Sequence, residues 1–234
     1  NVIKVGVRVK VVAVAIAGII SSLITTSGLI SSGIAFASEA KSGGTLVFAR
    51  PEEPLGLNGF KISDNGSIWA IEQICDSLVE PDDSGYGLRP GLAESWEISD
   101  DGLVYTFHLR DAKFNTGEPV TMEDVLFSLD KAADPEGYLG FVFPPMKREA
   151  IDSKTLRMTL EAPFTPLLSA VSLFAAHIVD KEAYEADEDS FMVNPVCSGP
   201  FKVESFERGN SLDIDRNEHY WGRQAYLDKV EMPY

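Results

Sequence analysis

Residues that could carry out catalysis are few in this chain and far apart. The three histidines, His108, His177 and His219, have neither another histidine nor a cysteine pair at the spacing that zinc ligands require. Ser198-Gly199 lacks the flanking pattern of a nucleophile elbow, and the sequence has no glycine-rich phosphate-binding loop. Carboxylates are numerous, but in so acidic a chain most should face water. The sequence therefore predicts a protein that is not an enzyme and that has no cofactor and no metal.

The two cysteines, Cys75 and Cys197, offer a different chemistry. Outside the cytoplasm they could form a disulfide. However, Cys75 lies on the apolar face of a predicted helix, whereas Cys197 lies in a predicted loop. The distance between them does not follow from the sequence. We interpret them as two separate thiols, with the pairing left open.

The charge of the chain argues against a polyanionic partner. Its 234 residues include 20 basic and 36 acidic ones, with a net charge of -16. Three of the basic residues, Lys4, Arg8 and Lys10, precede the first acidic one, so the remaining 17 are outnumbered by all 36 acidic residues. Such a surface repels nucleic-acid phosphates and anionic lipid headgroups. Because 44% of the residues are hydrophobic, the chain can bury a sizeable core, which indicates a globular protein without nucleic-acid partners.

The first 37 residues have the pattern of a secretory signal peptide. The three basic residues precede an apolar run at 11–20, and Ala-Phe-Ala at 35–37 is a small-x-small cleavage site, which predicts a mature start at Ser38. The alternative is a membrane anchor, since no charge interrupts residues 11–37. Polar residues within 21–32 disfavour that reading. No cysteine for lipid attachment follows the run, so we predict a free periplasmic protein.

The elements that would position any site are clearest in residues 92–125. Strands predicted at 95–98 and 104–109 flank Asp100-Asp101-Gly102, where glycine supplies the positive φ that a tight hairpin turn needs. In the second strand apolar and mixed positions alternate, which is typical of a half-buried strand. Thr121 and Asp124 then form the start signal of a helix that should run to about residue 132.

Other segments have weaker but readable patterns. Hairpins are predicted at 149–160 and 201–215, because alternating apolar positions flank polar turns there. Amphipathic spacing predicts a helix at 67–78. Further predicted elements are strands at 45–50 and 176–179, and helices at 165–173 and 180–186.

The run LAESWEISDDGLVYTFHLRDAKF, followed by G-x-PVTMEDV and FSL, resembles the signature stretch of family 5 extracellular solute-binding proteins. These proteins are the receptors of ABC importers for peptides and related solutes. Residues 43–47, 198–203, 216–222 and 227–230 agree with the family in order and spacing, so the resemblance covers residue 43 to the last residue.

That resemblance implies an α/β fold of the type II periplasmic-binding-protein kind. Two lobes are expected, of which the second lobe is missing here, and the first lobe carries an inserted small α+β domain. We therefore expect a signal peptide at 1–37, first-lobe segments at 38–75 and 180–234, and the inserted domain at 76–179.

The resemblance also implies where a ligand would bind. In the family the loop before the first helix enters the ligand cleft, and an ungapped comparison places Ser63, Asp64 and Asn65 there. These side chains could hydrogen-bond a ligand, or pair with an ammonium through Asp64. Equally, they could simply cap the helix and shape its turn. An aromatic residue of the smaller domain also reaches the cleft in the family; Phe141 is the closest match and Tyr138 the neighbouring alternative, although both could merely cover core.

The function implied by the resemblance is solute capture for an ABC importer, with peptides favoured over other solutes. Two lobes close over the ligand and present it to a membrane permease and its ATPase, and the complete protein is expected to be a monomer. The alternative is an extracytoplasmic sensor or chaperone module that binds peptides without feeding a transporter.

Overall fold

The computed structural model describes residues 41–82 and 84–234. The predicted signal peptide lies outside these residues. A first sheet has the strand order β1-β10-β9-β8, in which β1 runs parallel to β10 and the other neighbours are antiparallel. Its strands are β1 Thr45–Val47, β8 Phe201–Glu207, β9 Ser211–Arg216 and β10 Lys229–Pro233.

A second, antiparallel sheet has the order β4-β5-β7-β6. Its strands are β4 Ala93–Ile98, β5 Val104–Leu109, β6 Met146–Ala150 and β7 Thr155–Leu160. A short pair, β2 Val79–Pro81 and β3 Leu88–Pro90, precedes it. The predicted hairpins around residue 101 and around residue 153 are confirmed, and Gly102 has φ +70°, the conformation for which glycine is favoured.

The helices are short apart from two. They are α1 Asn65–Ile74, α2 Met122–Ala132, α3 Leu167–Ala170, α4 Lys181–Ala186 and α5 Glu188–Phe191. None of the helices in the described part of the chain is long and apolar enough to cross a membrane.

Four predicted elements differ from the structure. The strand expected at 45–50 is shortened to β1, which ends at Val47. The helix expected at 67–78 ends at Ile74, because Gly199 donates its N–H to the Ile74 carbonyl and Cys75 turns to extended backbone. The helix expected at 165–173 is reduced to α3. The strand expected at 176–179 is wrong, because only Val179 forms a bridge, to Cys197, and Ala176 ends a 3-10 turn that spans Phe174–Ala176.

Two groups of buried side chains form separate cores. One surrounds the second sheet and α2 and draws its fully buried members from residues 78–178. The other lies between the first sheet and α1, with members from 57–75 and 179–232. The chain thus crosses from one core to the other near residues 75–78 and crosses back near 178–179.

The start of α2 shows how local sequence positions the elements. Thr121 Oγ1 accepts the Asp124 N–H (3.3 Å), and Asp124 Oδ2 accepts the Thr121 N–H (2.9 Å), forming the predicted capping box. The other oxygen of Asp124 accepts the Lys181 N–H (3.0 Å). The box therefore also joins α2 to the start of α4.

We expect Thr121→Ala to lower the free energy of unfolding by about 1 kcal/mol, because it leaves a first-turn amide of α2 without its acceptor. Urea denaturation followed by circular dichroism measures this. Thr116→Ala, in the exposed loop before α2, is the matched control and should change stability by less than about 0.5 kcal/mol. Equal effects of the two substitutions would contradict the capping role.

Candidate functional site

A buried carboxylate, that of Asp76, lies where the chain crosses between the two cores. Asp76 is 5% exposed, and its Oδ2 accepts hydrogen bonds from Trp221 Nε1 (2.7 Å) and Ser198 Oγ (3.1 Å). Its backbone carbonyl accepts the Ile178 N–H (2.8 Å), which belongs to the return crossing. Asp76 therefore ties together three segments that are remote in sequence.

Charged groups surround this carboxylate. The Arg110 guanidinium lies 3.9 Å from the centroid of the Trp221 ring, a cation–π contact. Burial raises the pKa of Asp76 to about 6, although the hydrogen bonds from Trp221 and Ser198 act in the opposite direction. Burial and the neighbouring Asp76 raise the pKa of Glu80 to about 7. We call Asp76, Ser198, Trp221 and Arg110 the junction cluster.

A disulfide between Cys75 and Cys197 lies directly beside the junction cluster. This corrects our interpretation of two separate thiols. Both residues are buried, and 122 residues separate them in sequence. Helix periodicity correctly predicted that Cys75 is buried, although Cys75 lies one residue beyond the end of α1. Its partner Cys197 comes from a distant part of the chain that belongs to the same core, and local pattern does not reveal this.

The junction cluster is built for structure and not for hydrolysis. Ser198 is fully buried and its hydroxyl is directed at the Asp76 carboxylate, so a substrate cannot reach it. His177 is also buried, and burial lowers its pKa to about 3. Trp221 packs against the second-sheet core and so acts as a packing anchor. Neither Asp76 nor Arg110 was identified from the sequence. The sequence marks them only by position, because Asp76 follows Cys75 and Arg110 follows the last residue of β5.

The predicted ligand residues before α1 occupy its start. Asp64 is the N-cap, and its Oδ1 accepts the Ser67 N–H (2.8 Å). Its Oδ2 is buried and has no hydrogen-bond partner among the described residues. Ser63 and Asn65 are exposed on either side. Asp64 thus performs the capping role and retains one oxygen for a further partner.

The two predicted aromatic residues lie in different concavities. Tyr138 is 58% exposed and lines one of about 520 Å³ with Phe60 and Lys61, close in sequence to Ser63. Phe141 is 82% exposed and lines another of about 450 Å³ with Phe143. The structure therefore places Tyr138, and not Phe141, beside the loop that leads to Ser63.

Residues 41–82 and 84–234 contain no group of three or more His, Cys, Asp or Glu side chains arranged to hold a metal ion.

Comparison with known proteins agrees with this architecture. The family model described as bacterial extracellular solute-binding proteins, family 5, middle part, matches residues 87–234. Heme-binding protein A of Haemophilus influenzae is 29% identical over 219 residues, covering 82% of this chain and 40% of that protein. The dipeptide-binding protein of Escherichia coli is 27% identical over 230 residues, covering 86% of this chain and 42% of that protein.

Among solved structures, the ABC transporter-associated periplasmic binding protein DppA from Helicobacter pylori, in complex with the peptide STSA, superimposes with a TM-score of 0.75. It is 32% identical, and the match covers 83% of this chain and 43% of that one. The chain therefore spans less than half the length of these relatives.

The two cores and their sheets are those of a type II periplasmic binding protein, of which this chain contains a part. With most of its described residues matched by the family model, the chain belongs to the family 5 bacterial extracellular solute-binding proteins.

Proposed function

We propose that this chain is part of the solute-binding component of an ABC importer, and that the solute is a peptide. The observation that carries the proposal is the match to a family 5 structure bound to a peptide, at 32% identity. The dipeptide-binding relative supports the same class of solute. The protein captures its ligand between two lobes, without an enzymatic step, and delivers it to a permease and ATPase complex.

The proposed domain division follows the two cores. First-lobe segments at 38–75 and 180–234 correspond to the core of the first sheet, and the inserted domain at 76–179 corresponds to the core of the second sheet. The junction cluster holds the two together where the chain crosses. The complete protein acts as a monomer that closes on its ligand.

The proposed location is the periplasm, after cleavage of the signal peptide before Ser38. The Cys75–Cys197 disulfide supports an oxidising compartment, because disulfides are rare in the reducing cytosol.

The proposed ligand contacts are Ser63, Asp64 and Asn65, with Tyr138 or Phe141 as the aromatic contact. Asp64 supports this assignment, because its side chain is partly exposed between two exposed polar side chains and its Oδ2 has no donor among the described residues. This oxygen is buried in the free chain, so ligand contact there requires the loop before α1 to move. A peptide ammonium or backbone N–H would satisfy it.

Calorimetry with a di- to pentapeptide mixture tests the proposal on the gene product expressed at full length. Asp64→Asn keeps the cap acceptor and removes the charge, so we expect it to weaken peptide binding about tenfold while leaving stability within about 0.5 kcal/mol. The matched control is Asp187→Asn, another helix cap, whose Oδ1 accepts the Ser190 N–H (3.0 Å).

The control variant should bind like the parent protein. If the full-length protein binds no peptide, the peptide assignment is wrong. If both variants bind as tightly as the parent, the ligand contacts lie elsewhere. The 234-residue chain by itself should bind weakly, because one lobe supplies only half a cleft and leaves polar groups of the ligand in water.

A further inference from the structure

A groove between the two cores has features that ligand capture in an interlobe cleft does not use. It lies where the loop before α1 approaches the C-terminal end of α2, and Phe60, Lys61, Lys131, Tyr138 and Tyr184 are among its lining residues. Its volume of about 520 Å³ is within the range of small-molecule sites. All of its lining residues lie within positions 60–188, so the groove needs no second lobe.

The floor of the groove is a rigid aromatic surface. The Tyr184 ring packs edge-on against Phe60, Phe127 and Phe191, with centroid distances of 5.7, 5.4 and 5.1 Å. Its hydroxyl donates to Glu188 and accepts from Asn58, so the ring has little freedom to rotate. Across the opening Tyr138 presents an exposed ring. Because Tyr184 is 5% exposed, a flat apolar group entering the groove would pack on the exposed Tyr138 ring and meet only the edge of Tyr184.

The two lysines of the groove differ in what they contact. Lys61 Nζ is paired with Glu188 Oε1 (2.8 Å). Lys131 Nζ lies 5.3 Å from the Tyr184 ring centroid and 5.7 Å from that of Phe127, and no carboxylate of the described part of the chain lies within 4 Å of it. Its ammonium contacts aromatic rings and, at longer range, lowers the pKa of Glu188, but it forms no close ion pair, so it can also contact an anionic ligand group.

Carboxylates complete the groove on the other side of Lys131. Asp134 and Glu136 are exposed lining residues, and Asp134 Oδ1 accepts the Glu136 N–H (3.0 Å), which orders the turn that carries both. Neither carboxylate is paired with a Lys or Arg within the described residues. The groove thus combines one available cation, two available anions and aromatic walls.

We propose that this groove binds a zwitterionic amino acid with a flat apolar side chain. The ligand carboxylate contacts Lys131, the ammonium contacts Asp134 or Glu136, and the side chain packs on the Tyr138 ring and meets the edge of Tyr184. This site goes beyond the proposed function, because it does not require closure of two lobes and contains none of Ser63, Asp64 and Asn65, although Phe60 and Lys61 belong to the loop that leads to them. Tyr138 lines the groove whether the aromatic contact of the proposed interlobe cleft is Tyr138 or Phe141.

Titration of the isotope-labelled protein with L-phenylalanine, followed by amide chemical shifts in NMR, tests this inference. We expect saturable shifts centred on Gly137 and Tyr138. Phenylalaninamide, which lacks the carboxylate, and N-acetylphenylalanine, which lacks the ammonium, should each bind about fivefold more weakly, as expected for the loss of one exposed charge pair. Lys131→Met should abolish the preference for phenylalanine over its amide.

Two further variants keep the test decisive. Tyr138→Ala removes an exposed wall and should weaken all three probes. Lys147→Met, at an exposed lysine of β6 paired with Glu149, is the matched control and should bind like the parent. The inference is overturned if no saturable shift reaches Gly137 and Tyr138, or if Lys131→Met binds both probes unchanged. Peptide capture measured by calorimetry is a separate result, so either proposal can fail while the other stands.

Discussion

Replacing Cys75 and Cys197 together by alanine lowers the free energy of unfolding by about 5 kcal/mol. The disulfide closes a loop with a sequence separation of 122 residues, and a cross-link of that length removes a large part of the unfolded chain's conformational entropy. In a protein of this size, such a loss corresponds to a fall in Tm of about 10–20 °C. Calorimetric unfolding of the parent and the double variant under non-reducing conditions measures it.

The single variants provide the control for this prediction. Cys75→Ala and Cys197→Ala should each cost about as much as the double variant, since either one opens the same loop and the two effects are not additive. The parent protein, unfolded without reductant, should show no reactive thiol. Two reactive thiols in that experiment would show that the cysteines are not paired, and the stability argument would fail with them.

The contribution of Asp76 to the free energy of unfolding should fall as the pH rises from about 4 to about 6. Asp76→Asn isolates it from the contribution of His177, whose pKa burial lowers to about 3 and which acts in the opposite direction over the same window. The pKa of Asp76 is 3.8 in its ordinary state and about 6 in the fold, because burial disfavours the charged form. Between these values the folded protein holds a proton that the unfolded chain has lost, so raising the pH favours unfolding. A shift of this size corresponds to about 3 kcal/mol. Glu80, whose pKa burial raises to about 7, acts in the same direction.

Urea denaturation at a series of pH values measures this dependence. Asp76→Asn cannot ionise and keeps an acceptor for Trp221, so its free energy of unfolding should rise relative to that of the parent as the pH goes from about 4 to about 6. The slope that remains in the variant comes from other groups, among them Glu80 and His177, which act in opposite directions. Asp111→Asn is the matched control. Its exposed carboxylate is paired with Lys154, which lowers its pKa, so this variant should keep the parent's slope above pH 5. An unchanged slope in Asp76→Asn would refute the assignment.

Candidate site residues could be predicted only in part. The position of Asp64 at a helix start follows from the residues around it, and the structure places its capping oxygen there. Tyr138 and Phe141 line different concavities because of the path that the loop after α2 takes. Local sequence pattern does not specify that path. The sequence places Lys131 only within a predicted helix. Its proposed role depends on its contact with the Tyr184 ring, which only the tertiary structure shows.

The sequence by itself determined the family and those local elements whose defining contacts are short in sequence. The hairpin turn at Gly102 and the capping box of Thr121 and Asp124 involve contacts between residues at most a few positions apart, so their residue types suffice to specify them. Only the tertiary structure decided the Cys75–Cys197 pairing, the end of α1 and the contact between Asp76 and Trp221. Each of these joins residues more than 100 positions apart, brought together because both cores must bury their apolar faces where the chain crosses between them.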